Sequence, residues 1–524
     1  MRRLLSRLVV LLSALLLATL TLAGASAFGT TKSPRAVPTA SHRGGSITVL
    51  EAQGFLGTWT GFDPAITTSQ STFESTVYGG LFDLGPHETL VPDLATGYKL
   101  TNGGLTLTLN LRHGVTFSNG DPFDASVVVF NIKRYLDPTL PNAMLSIAGW
   151  PMSSVSTPDN YTVVVDFSRV YAPIVYEMAQ SSFNDMLDPV ALQKMGETAY
   201  NLTPVGAGPF MVSSDKPSAN LVLKRNPHYW KAGYPKLNTI NVETVGNDES
   251  AYEAIQAGQA QFYGGLGTLG LVAQAKKSSK VNLYTIPATS PYVLQLNTAK
   301  PPFNNLQARE ALYYATDSAT INKHIFGNHY SLTQSPTGPG GLFYEPKVPG
   351  YRTYNLAKAK SLVKQLGGSM NISLGTIALQ LAQETDVALQ SEWAQAGIHT
   401  TLSQLNLTSL IGQFRSGNWN VFLQEAGAYD PALVLGVGFR FGSTSPFTGV
   451  HDPKLDAMMN QAAGTVDKTQ RAADYKQLFK YISDQAYAVF MFNVPAWDIA
   501  TKNVTGLSQL PQVGFVNWTN VGLK

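Results

Sequence analysis

The stretch that decides the fold runs from Leu90 to Asp137 and reads LVPDLATGYKLTNGGLTLTLNLRHGVTFSNGDPFDASVVVFNIKRYLD. From Leu105 to Leu111, four leucines alternate with polar residues, which is the two-residue period of a half-buried strand. Asp124 then stands in the position of an N-cap, before a segment typical of a helix with its two basic residues near the C-terminal end. The stretch therefore predicts a strand, a tight turn and a helix in close succession.

The residues of this stretch are more specific than its secondary structure requires. They resemble the signature of the peptide/nickel class (family 5) of extracytoplasmic solute-binding proteins of ABC importers. The matching positions are Ala95, Tyr98, Asn102, Gly103, Leu111, Arg112, Gly114, Val115, Phe117, Asn119, Gly120, Pro122, Ala125, Val127, Val128 and Phe130.

The resemblance continues along the chain, over about residues 44–520. Its other matches are Asp63-Pro64, the run 205–210 (VGAGPF), Asn226 with Tyr229-Trp230, Leu296-Asn297, Pro302-Phe303, Arg309, Asp317 and the run 393–398 (WAQAGI). The resemblance implies an α/β protein with the two-lobed periplasmic-binding-protein type II fold, an inserted third subdomain and a hinge.

The resemblance also implies a division of the chain. The predicted parts are a signal peptide (1–27), a flexible tether (28–43), a discontinuous lobe I (44–80, 203–290 and 491–524), an inserted subdomain (81–202) and lobe II (291–490). The chain would cross between the lobes near 288–292 and 489–494, which are the expected hinge. Arg309 and Asp317 are predicted to be helix-end and capping groups rather than ligand contacts.

The N-terminus has the three parts of a secretory signal. Three arginines precede an apolar run from Leu8 to Leu22, and Ala25-Ser26-Ala27 forms an A-x-A cleavage site. An uncleaved membrane anchor is the alternative, although the run is short for a span of about 20 apolar residues. The lipobox cysteine of many relatives is absent. We therefore expect a secreted protein, on the periplasmic or extracellular side of a bacterial cytoplasmic membrane.

Composition excludes several classes of function. The chain of 524 residues has a formal net charge of +3, and the three arginines of the signal account for all of it, so the mature chain is near neutral. The charge gives no support for nucleic-acid binding. Without cysteine, disulfides, thiolate zinc sites and a cysteine nucleophile are impossible.

No enzyme motif stands out in the sequence. The eight histidines are scattered, and there is neither a G-x-S-x-G nor a P-loop. Gly265–Gly270 matches G-x-G-x-x-G formally, but the segment before it is short and polar and no acid follows at the required distance. The prediction is a helix, a strand and a glycine loop, with no cofactor and no catalytic residue. A secreted hydrolase remains the alternative from another class.

The candidate ligand contacts lie in predicted loops that line the ligand cleft in the relatives. Aromatic side chains supply contact area there, and a few polar groups orient the ligand. The candidates are Trp59, Phe62, Ser69, Gln70, Trp150, Trp419, Glu425, Tyr429, Asp430, Phe439 and Arg440.

The main departure from the family pattern is the absence of an ionic anchor for the ligand. Peptide-binding relatives hold the α-ammonium of the peptide with an aspartate three residues before a second acid that precedes proline. Asp430-Pro431 matches the second acid, and the anchor position is then Gly427. Glu425 and Asp430 are the nearby acids that could replace the anchor.

These observations predict an extracytoplasmic solute-binding protein. It would capture an oligopeptide or dipeptide by hinge closure and deliver it, as a monomer, to the permease subunits of an ABC importer. An oligosaccharide or a nickel chelate on the same fold is the alternative ligand, and the missing anchor favours it more than in a standard peptide binder.

Overall fold

The computed structural model describes residues 44–52, 61–65, 72–85, 89–137, 139–140, 151–180, 182–216, 220–288, 291–377, 380–425, 429–433, 436–445, 447–507 and 516–524. The chain divides into two compact units. Unit 1 holds the described residues up to Ile286 together with Ala496–Lys524, and unit 2 is Pro287–Pro495. The predicted signal and tether lie outside the described residues.

The strands divide between the two units in three runs of the chain. Unit 1 contains β1 (Ser46–Ala52), β2 (Phe82–Leu84), β3 (Leu90–Pro92), β4 (Ala95–Thr101), β5 (Thr106–Leu111), β6 (Met152–Asp159), β7 (Thr162–Phe167), β8 (Phe210–Lys216), β9 (Asn220–Arg225), β10 (Thr239–Val245), β11 (Phe262–Tyr263) and β12 (Val281–Ile286). Unit 2 contains β13 (Pro291–Leu296), β14 (Ser331–Leu332), β15 (Met370–Ile377), β16 (Ile398–Leu405), β17 (Val421–Glu425) and β18 (Ala488–Asn493). The chain returns to unit 1 with β19 (Ala496–Thr501), β20 (Val504–Thr505) and β21 (Gly522–Leu523).

The helices follow the same division. Unit 1 contains α1 (Thr72–Tyr78), α2 (Ala125–Tyr135), α3 (Ile174–Gln180), α4 (Pro189–Met195), α5 (Glu197–Leu202), α6 (Asp248–Ala257) and α7 (Leu269–Lys277). Unit 2 contains α8 (Leu306–Ala315), α9 (Ser318–His324), α10 (Leu356–Gln365), α11 (Gln380–Gln395), α12 (Leu407–Ser416), α13 (Val437–Phe441), α14 (Pro453–Gly464) and α15 (Lys468–Asp484). Among the described residues, no helix combines the length and the apolar character that crossing a membrane requires.

Unit 1 is built on a mixed seven-stranded sheet in the order β12-β19-β11-β1-β10-β9-β8. Its central strand β1 runs parallel to β10 on one side and to β11 on the other. Ile47 and Val49 on β1 are fully buried and pack in one apolar core with Phe73 of α1 and Trp518 near the C-terminus. The C-terminal segment thus completes the core that the N-terminal strand begins.

A separate antiparallel sheet in unit 1, in the order β4-β5-β7-β6, contains the two longer strands of the stretch Leu90–Asp137, β4 and β5. The predicted alternation is confirmed for Leu107, Leu109 and Leu111, which are buried on β5. It is wrong for Leu105, which is 37% exposed because a tight turn at Asn102–Gly104 delays the start of the strand. Asp124 caps α2 as predicted, accepting hydrogen bonds from the backbone of Ser126 and Val127.

The end of α1 and the glycines of the Val205–Phe210 run meet backbone to backbone. The amides of Ala207 and Gly208 donate to the carbonyls of Tyr78 and Val77, both at 2.9 Å. A Cβ on Gly206 would overlap the carbonyl oxygen of Val77, so the approach requires glycine there.

Other signature residues join the same junction. The side chain of Asn226 donates to the carbonyl of Gly208 at 2.8 Å, and the amide of Ser118 donates to the carbonyl of Gly206 at 2.9 Å. Trp230 lies 3.7 Å from the Arg112 guanidinium, which stacks over its ring, and donates to Asp93 at 3.1 Å. Signature segments that are far apart in the sequence therefore form one packed junction in unit 1.

Unit 2 contains a six-stranded sheet in the order β14-β18-β13-β17-β15-β16. Every residue of β13 and β18 is buried, which explains why both strands are largely apolar. α14 and α15 supply much of the apolar core beside them. Asp317 caps α9 as predicted, and Asp452 caps α14.

The predicted and observed divisions use different numbers of parts. Unit 1 joins the segments predicted as lobe I and as the inserted subdomain, and the sheet β4-β5-β7-β6 lies within the predicted insert 81–202. Unit 2 spans nearly the range predicted as lobe II, 291–490. The further separation of unit 1 into two bodies stays a prediction.

The Gly206 junction gives a direct test of the packing. Gly206→Ala should destabilise the protein by about 1–3 kcal/mol or more, because the added methyl group meets backbone that cannot move without shifting α1. Gly246→Ala is the matched control, since nothing lies within 4 Å of a Cβ at that glycine. Urea unfolding followed by circular dichroism would measure both, and equal midpoints for the two variants would contradict the packing described.

Candidate functional site

Several of the predicted ligand contacts lie outside the described residues. These are Trp59, Ser69, Gln70 and Trp150, and the anchor position Gly427 lies outside as well. Glu425 is the last residue of β17, so it ends a strand rather than standing inside a loop, and its side chain is outside the described part. The roles of these residues stay predictions.

The described aromatic candidates are all buried. Phe62 belongs to the core of unit 1, and in unit 2 Trp419, Tyr429 and Phe439 are at most 4% exposed. Trp419 packs edge-on against Phe414 with ring centroids 5.2 Å apart. This burial is that of core residues, and contact of their side chains with a ligand stays a prediction.

Arg440, predicted as a ligand contact, is also buried. It lies on the short helix α13 and is 1% exposed. One guanidinium nitrogen, Nη2, donates to the carbonyl of Pro336 at 2.6 Å, and the aromatic ring of Phe441 lies 5.8 Å away. These contacts tie α13 to the loop after β14.

In unit 1, the loop beside Phe62 is fixed by a buried ion pair. The carboxylate of Asp63 accepts two parallel hydrogen bonds from the Arg134 guanidinium, at 2.6 and 2.7 Å. Asp63 is fully buried and Arg134, on α2, is 9% exposed. The same carboxylate accepts the amide hydrogen of Ala65 at 3.0 Å, which closes a tight turn at Asp63-Pro64-Ala65.

In unit 2, the loop after β17 contains the same arrangement. Asp430 accepts two hydrogen bonds from Arg471 of α15, at 2.6 and 2.8 Å, and both side chains are buried. The amide of Ala432 donates to Asp430 at 3.0 Å, so Asp430-Pro431-Ala432 forms the same turn. Phe343 and Tyr475 lie 5.2 and 5.4 Å from the guanidinium and shield it from water.

We call these two arrangements the Asp-Pro-Ala clamps. A bidentate Arg–carboxylate pair gives directional as well as ionic strength, and burial keeps it from being screened by salt. Each clamp lies between chain segments that carry predicted ligand contacts: Trp59 and Ser69 on either side of Asp63, and Glu425 and Phe439 on either side of Asp430. The clamps therefore fix the backbone of the two turns at 63–65 and 430–432, next to these segments in the sequence.

The second clamp affects whether Asp430 could serve as the anchor for a ligand's amine. Both oxygens of Asp430 are engaged by Arg471, which also donates through Nε to the carbonyl of Ala462 at 2.9 Å. A direct ionic contact between Asp430 and a ligand would require this pair to break, at the cost of an unpaired buried charge. Asp430 as the replacement anchor is thereby disfavoured, while the prediction for Glu425 is unaffected.

Sequence reasoning missed the two arginines. Arg134 is 71 residues from Asp63, and Arg471 is 41 residues from Asp430. The available signal was the tripeptide Asp-Pro-Ala, which occurs twice in the chain, at 63–65 and 430–432. The repeat indicates a shared turn, although its cationic partner comes from tertiary structure.

A family model provides the decisive comparison. The model described as bacterial extracellular solute-binding proteins, family 5, matches residues 89–441, which is more than half of the chain. The chain belongs to this family. Its members bind solutes outside the cytoplasm for ABC transporters, and the structure has their two-lobed α/β fold.

Individual family 5 relatives cover nearly the full length. The glutathione-binding protein GsiB of Salmonella paratyphi A is 26% identical over 471 residues, covering 87% of this chain and 90% of GsiB. The periplasmic binding protein DppA of Helicobacter pylori, solved with the peptide STSA, is 21% identical with a TM-score of 0.75, covering 92% of this chain and 98% of DppA. AgaA of A. tumefaciens R10, solved with agropinic acid, is 20% identical with a TM-score of 0.73, covering 92% of this chain and 99% of AgaA.

The clamp in unit 2 can be tested by charge removal. Arg471→Met should destabilise the protein by about 3–5 kcal/mol, because it leaves Asp430 buried without its counter-charge. Adding Asp430→Leu should recover most of the loss, since an apolar pair can replace a buried ion pair at little cost. Chemical denaturation would measure both variants.

Lys476→Met is the matched control for this experiment. Lys476 lies on the same helix and pairs with Glu345 at 3.0 Å, but its side chain is 59% exposed. Removal of such a surface pair should change stability by less than about 1 kcal/mol. A loss in Arg471→Met no larger than that in Lys476→Met would show that the buried pair does not fix the loop.

Proposed function

We propose that this family 5 protein captures an oligopeptide or dipeptide outside the cytoplasm and delivers it to the permease subunits of an ABC importer. Family membership supports the solute-binding role. The peptide class of ligand is supported by the relatives, because GsiB binds glutathione, itself a short peptide, and DppA was solved with the peptide STSA. The proposal assigns no catalytic residue, since capture and delivery make and break no covalent bond.

The observation that carries the capture mechanism is how the chain passes between its units. The passages leave unit 1 from β12 and β19, which are neighbouring strands with Ile286 opposite Ala496. In unit 2 they continue into β13 and β18, also neighbours, with Pro291 opposite Asn493. Two short segments, 287–290 and 494–495, thus connect two units that each have their own sheet.

Such a pair of connections suits a hinge. A few residues at the ends of strands can absorb the backbone rotation of domain closure while each unit moves as a rigid body. A ligand that contacts both units would stabilise the closed state by its differential affinity for that state. The permease would then recognise the closed, loaded monomer. The proposed hinge is these two segments, close to the expected ranges 288–292 and 489–494.

The ligand contacts proposed for this function are those of the candidate loops. Trp59, Ser69 and Gln70 would come from the segments around the first Asp-Pro-Ala clamp, and Glu425 would come from the strand end before the second. Trp150 would add an aromatic surface from the predicted insert. By fixing the loop backbones before the ligand arrives, the clamps would reduce the entropy lost on binding.

The function predicts selective stabilisation by peptides. Glutathione, di-, tri- and tetrapeptides, agropinic acid, maltooligosaccharides and nickel–histidine would each be added to the purified residues 28–524. A peptide present at about 100 times its Kd should add about 2.7 kcal/mol to the free energy of unfolding, which appears as a higher Tm. A rise with an oligosaccharide, agropinic acid or the nickel chelate, and none with any peptide, would contradict the proposed ligand class.

A further inference from the structure

Two carboxylates lie in one row of the large sheet of unit 1. The register places Leu50 of β1 beside Tyr263 of β11, and Tyr263 beside Ile499 of β19. β1 and β11 are parallel, and β19 is antiparallel to β11, so the next row holds Glu51, Gly264 and Asp498. Side chains in one row point to the same face of a sheet. We call Glu51 and Asp498 the carboxylate dyad.

The residue between the two acids has no side chain. A Cβ on Gly264 would lie 3.4 Å from Oδ1 of Asp498, so a larger residue would occupy the space between the carboxylates. The row also lies at the carboxyl ends of the parallel strands β1 and β11. In open α/β sheets, ligands bind outside the carboxyl ends of the strands.

A neighbouring acid, Asp248, accepts hydrogen bonds on both carboxylate oxygens from Tyr263 and from the glycine loop after β11. Asp248 of α6 accepts the hydroxyl of Tyr263 at 2.7 Å and the amides of Gly267 and Thr268 at 2.9 and 2.7 Å. The loop that formally matched G-x-G-x-x-G therefore directs its amides at the protein's own carboxylates.

The carboxylate oxygens of the dyad accept only some of the hydrogen bonds that they could accept. Oδ1 of Asp498 accepts the amide hydrogen of Gly265 at 3.0 Å. The other oxygen, Oδ2, is buried without a hydrogen-bond partner in the structure, and Asp498 as a whole is 2% exposed. Glu51 is partly exposed, and its carboxylate accepts no hydrogen bond within the described ranges. An unpaired buried oxygen of this kind costs free energy unless another group binds it.

No positive charge of the described chain pairs with these acids. None of Glu51, Asp248 and Asp498 forms a salt bridge with a described residue. The segment that continues from β1, residues 53–71, contains no lysine, arginine or histidine. The counter-charge for the dyad must therefore be a proton or a cation from outside this part of the chain.

Burial raises the pKa values of both dyad carboxyls, as expected for acids without a counter-charge. Burial, and secondarily the charge of Asp498, raise the pKa of Glu51 to about 8. Burial raises the pKa of Asp498 to about 7, against the opposing effect of its hydrogen bond from Gly265. The other titratable groups at this place are Tyr284 of β12, which pairs in register with Asp498, and Tyr263, Asp248 and Glu249, and none of them supplies a positive charge. Near neutral pH the empty dyad thus retains protons that a bound cation would displace.

We propose that Glu51 and Asp498 together bind a primary ammonium group of the transported ligand. This inference rests on the proposed function and extends it to the ligand's charge. A carboxylate pair open at one oxygen offers an ammonium two acceptors, and the ammonium supplies the charge that the dyad lacks. The dyad then replaces the anchor that family 5 peptide binders carry at the position of Gly427, using residues of unit 1.

The test compares peptides with and without a free amine. A tetrapeptide library built from glycine, alanine, serine and leucine has the terminal ammonium as its sole positive charge, and N-acetylation removes it. Native mass spectrometry would measure the bound fraction for residues 28–524. The free library should bind about tenfold or more tightly than the acetylated library, and Glu51→Gln or Asp498→Asn should remove this preference.

Control variants separate the charge effect from damage to the fold. Glu243→Gln removes an exposed acid from the adjacent strand β10, where Glu243 pairs in register with Leu50 and so faces the other side of the sheet. It should keep the preference for the free amine. Asp498→Asn retains the acceptor for the Gly265 amide, and Glu51→Gln tests the dyad even if Asp498→Asn fails to fold.

The dependence on pH gives a second readout. Affinity for the free library should rise from about pH 6 to about pH 7.5 as the dyad loses protons, because protonated carboxyls bind an ammonium poorly. It should fall again above about pH 8, because the α-amino groups of the library then lose their own positive charge. Glu51→Gln should reduce the slope, and the acetylated library should show none. A slope unchanged by Glu51→Gln would overturn the proposed role of the dyad.

The outcomes distinguish the two proposals. Equal binding of both libraries, unchanged in the dyad variants, overturns the dyad and leaves the peptide function intact. Binding of neither library contradicts the peptide function, and the dyad is then judged with 1,4-diaminobutane as the probe. A rise in Tm with this diamine that is lost in Glu51→Gln supports the dyad, and an equal Tm in both proteins overturns it.

Discussion

A buried arginine that pairs with the aspartate of an Asp-Pro-Ala turn is the constraint on which the candidate binding loops depend. It occurs once in each unit, as Asp63–Arg134 and as Asp430–Arg471. Each pair connects an Asp-Pro-Ala turn to a helix packed in the core. A buried ion pair adds less to net stability than to specificity of position, because desolvation offsets much of its attraction. The clamps are therefore best understood as contacts that hold the two Asp-Pro-Ala turns in one conformation.

The family signature has a physical basis in unit 1. Gly206 and Gly208 let the chain approach the end of α1, Asn226 bonds to the carbonyl of Gly208, and Trp230 stacks on Arg112. These residues touch one another. The resemblance consequently identifies the fold with precision and carries little information about the ligand, which fits a family whose folds accommodate both the peptide STSA and agropinic acid.

Local patterns in the sequence predicted the local structure well. Alternation located β5, and the aspartates at 124 and 317 marked helix starts, because a strand face or a cap depends on residues only a few positions apart. The predicted burial was wrong for Leu105 because a turn shifted the start of the strand. The partners of Asp63 and Asp430, and the meeting of Glu51 with Asp498, were beyond prediction because they arise from chain segments brought together only by the fold. Burial of Trp419 and Phe439 was likewise hidden, since an aromatic residue next to a loop can face either the core or a ligand.

We propose that this family 5 protein carries a peptide-type ligand with a free amine. The most direct measurement is native mass spectrometry of residues 28–524 as purified from a bacterial host, followed by denaturation and sequencing of whatever is released. The account predicts a set of short peptides with unmodified N-termini. Release of an oligosaccharide, a metal chelate or N-blocked peptides alone would contradict it.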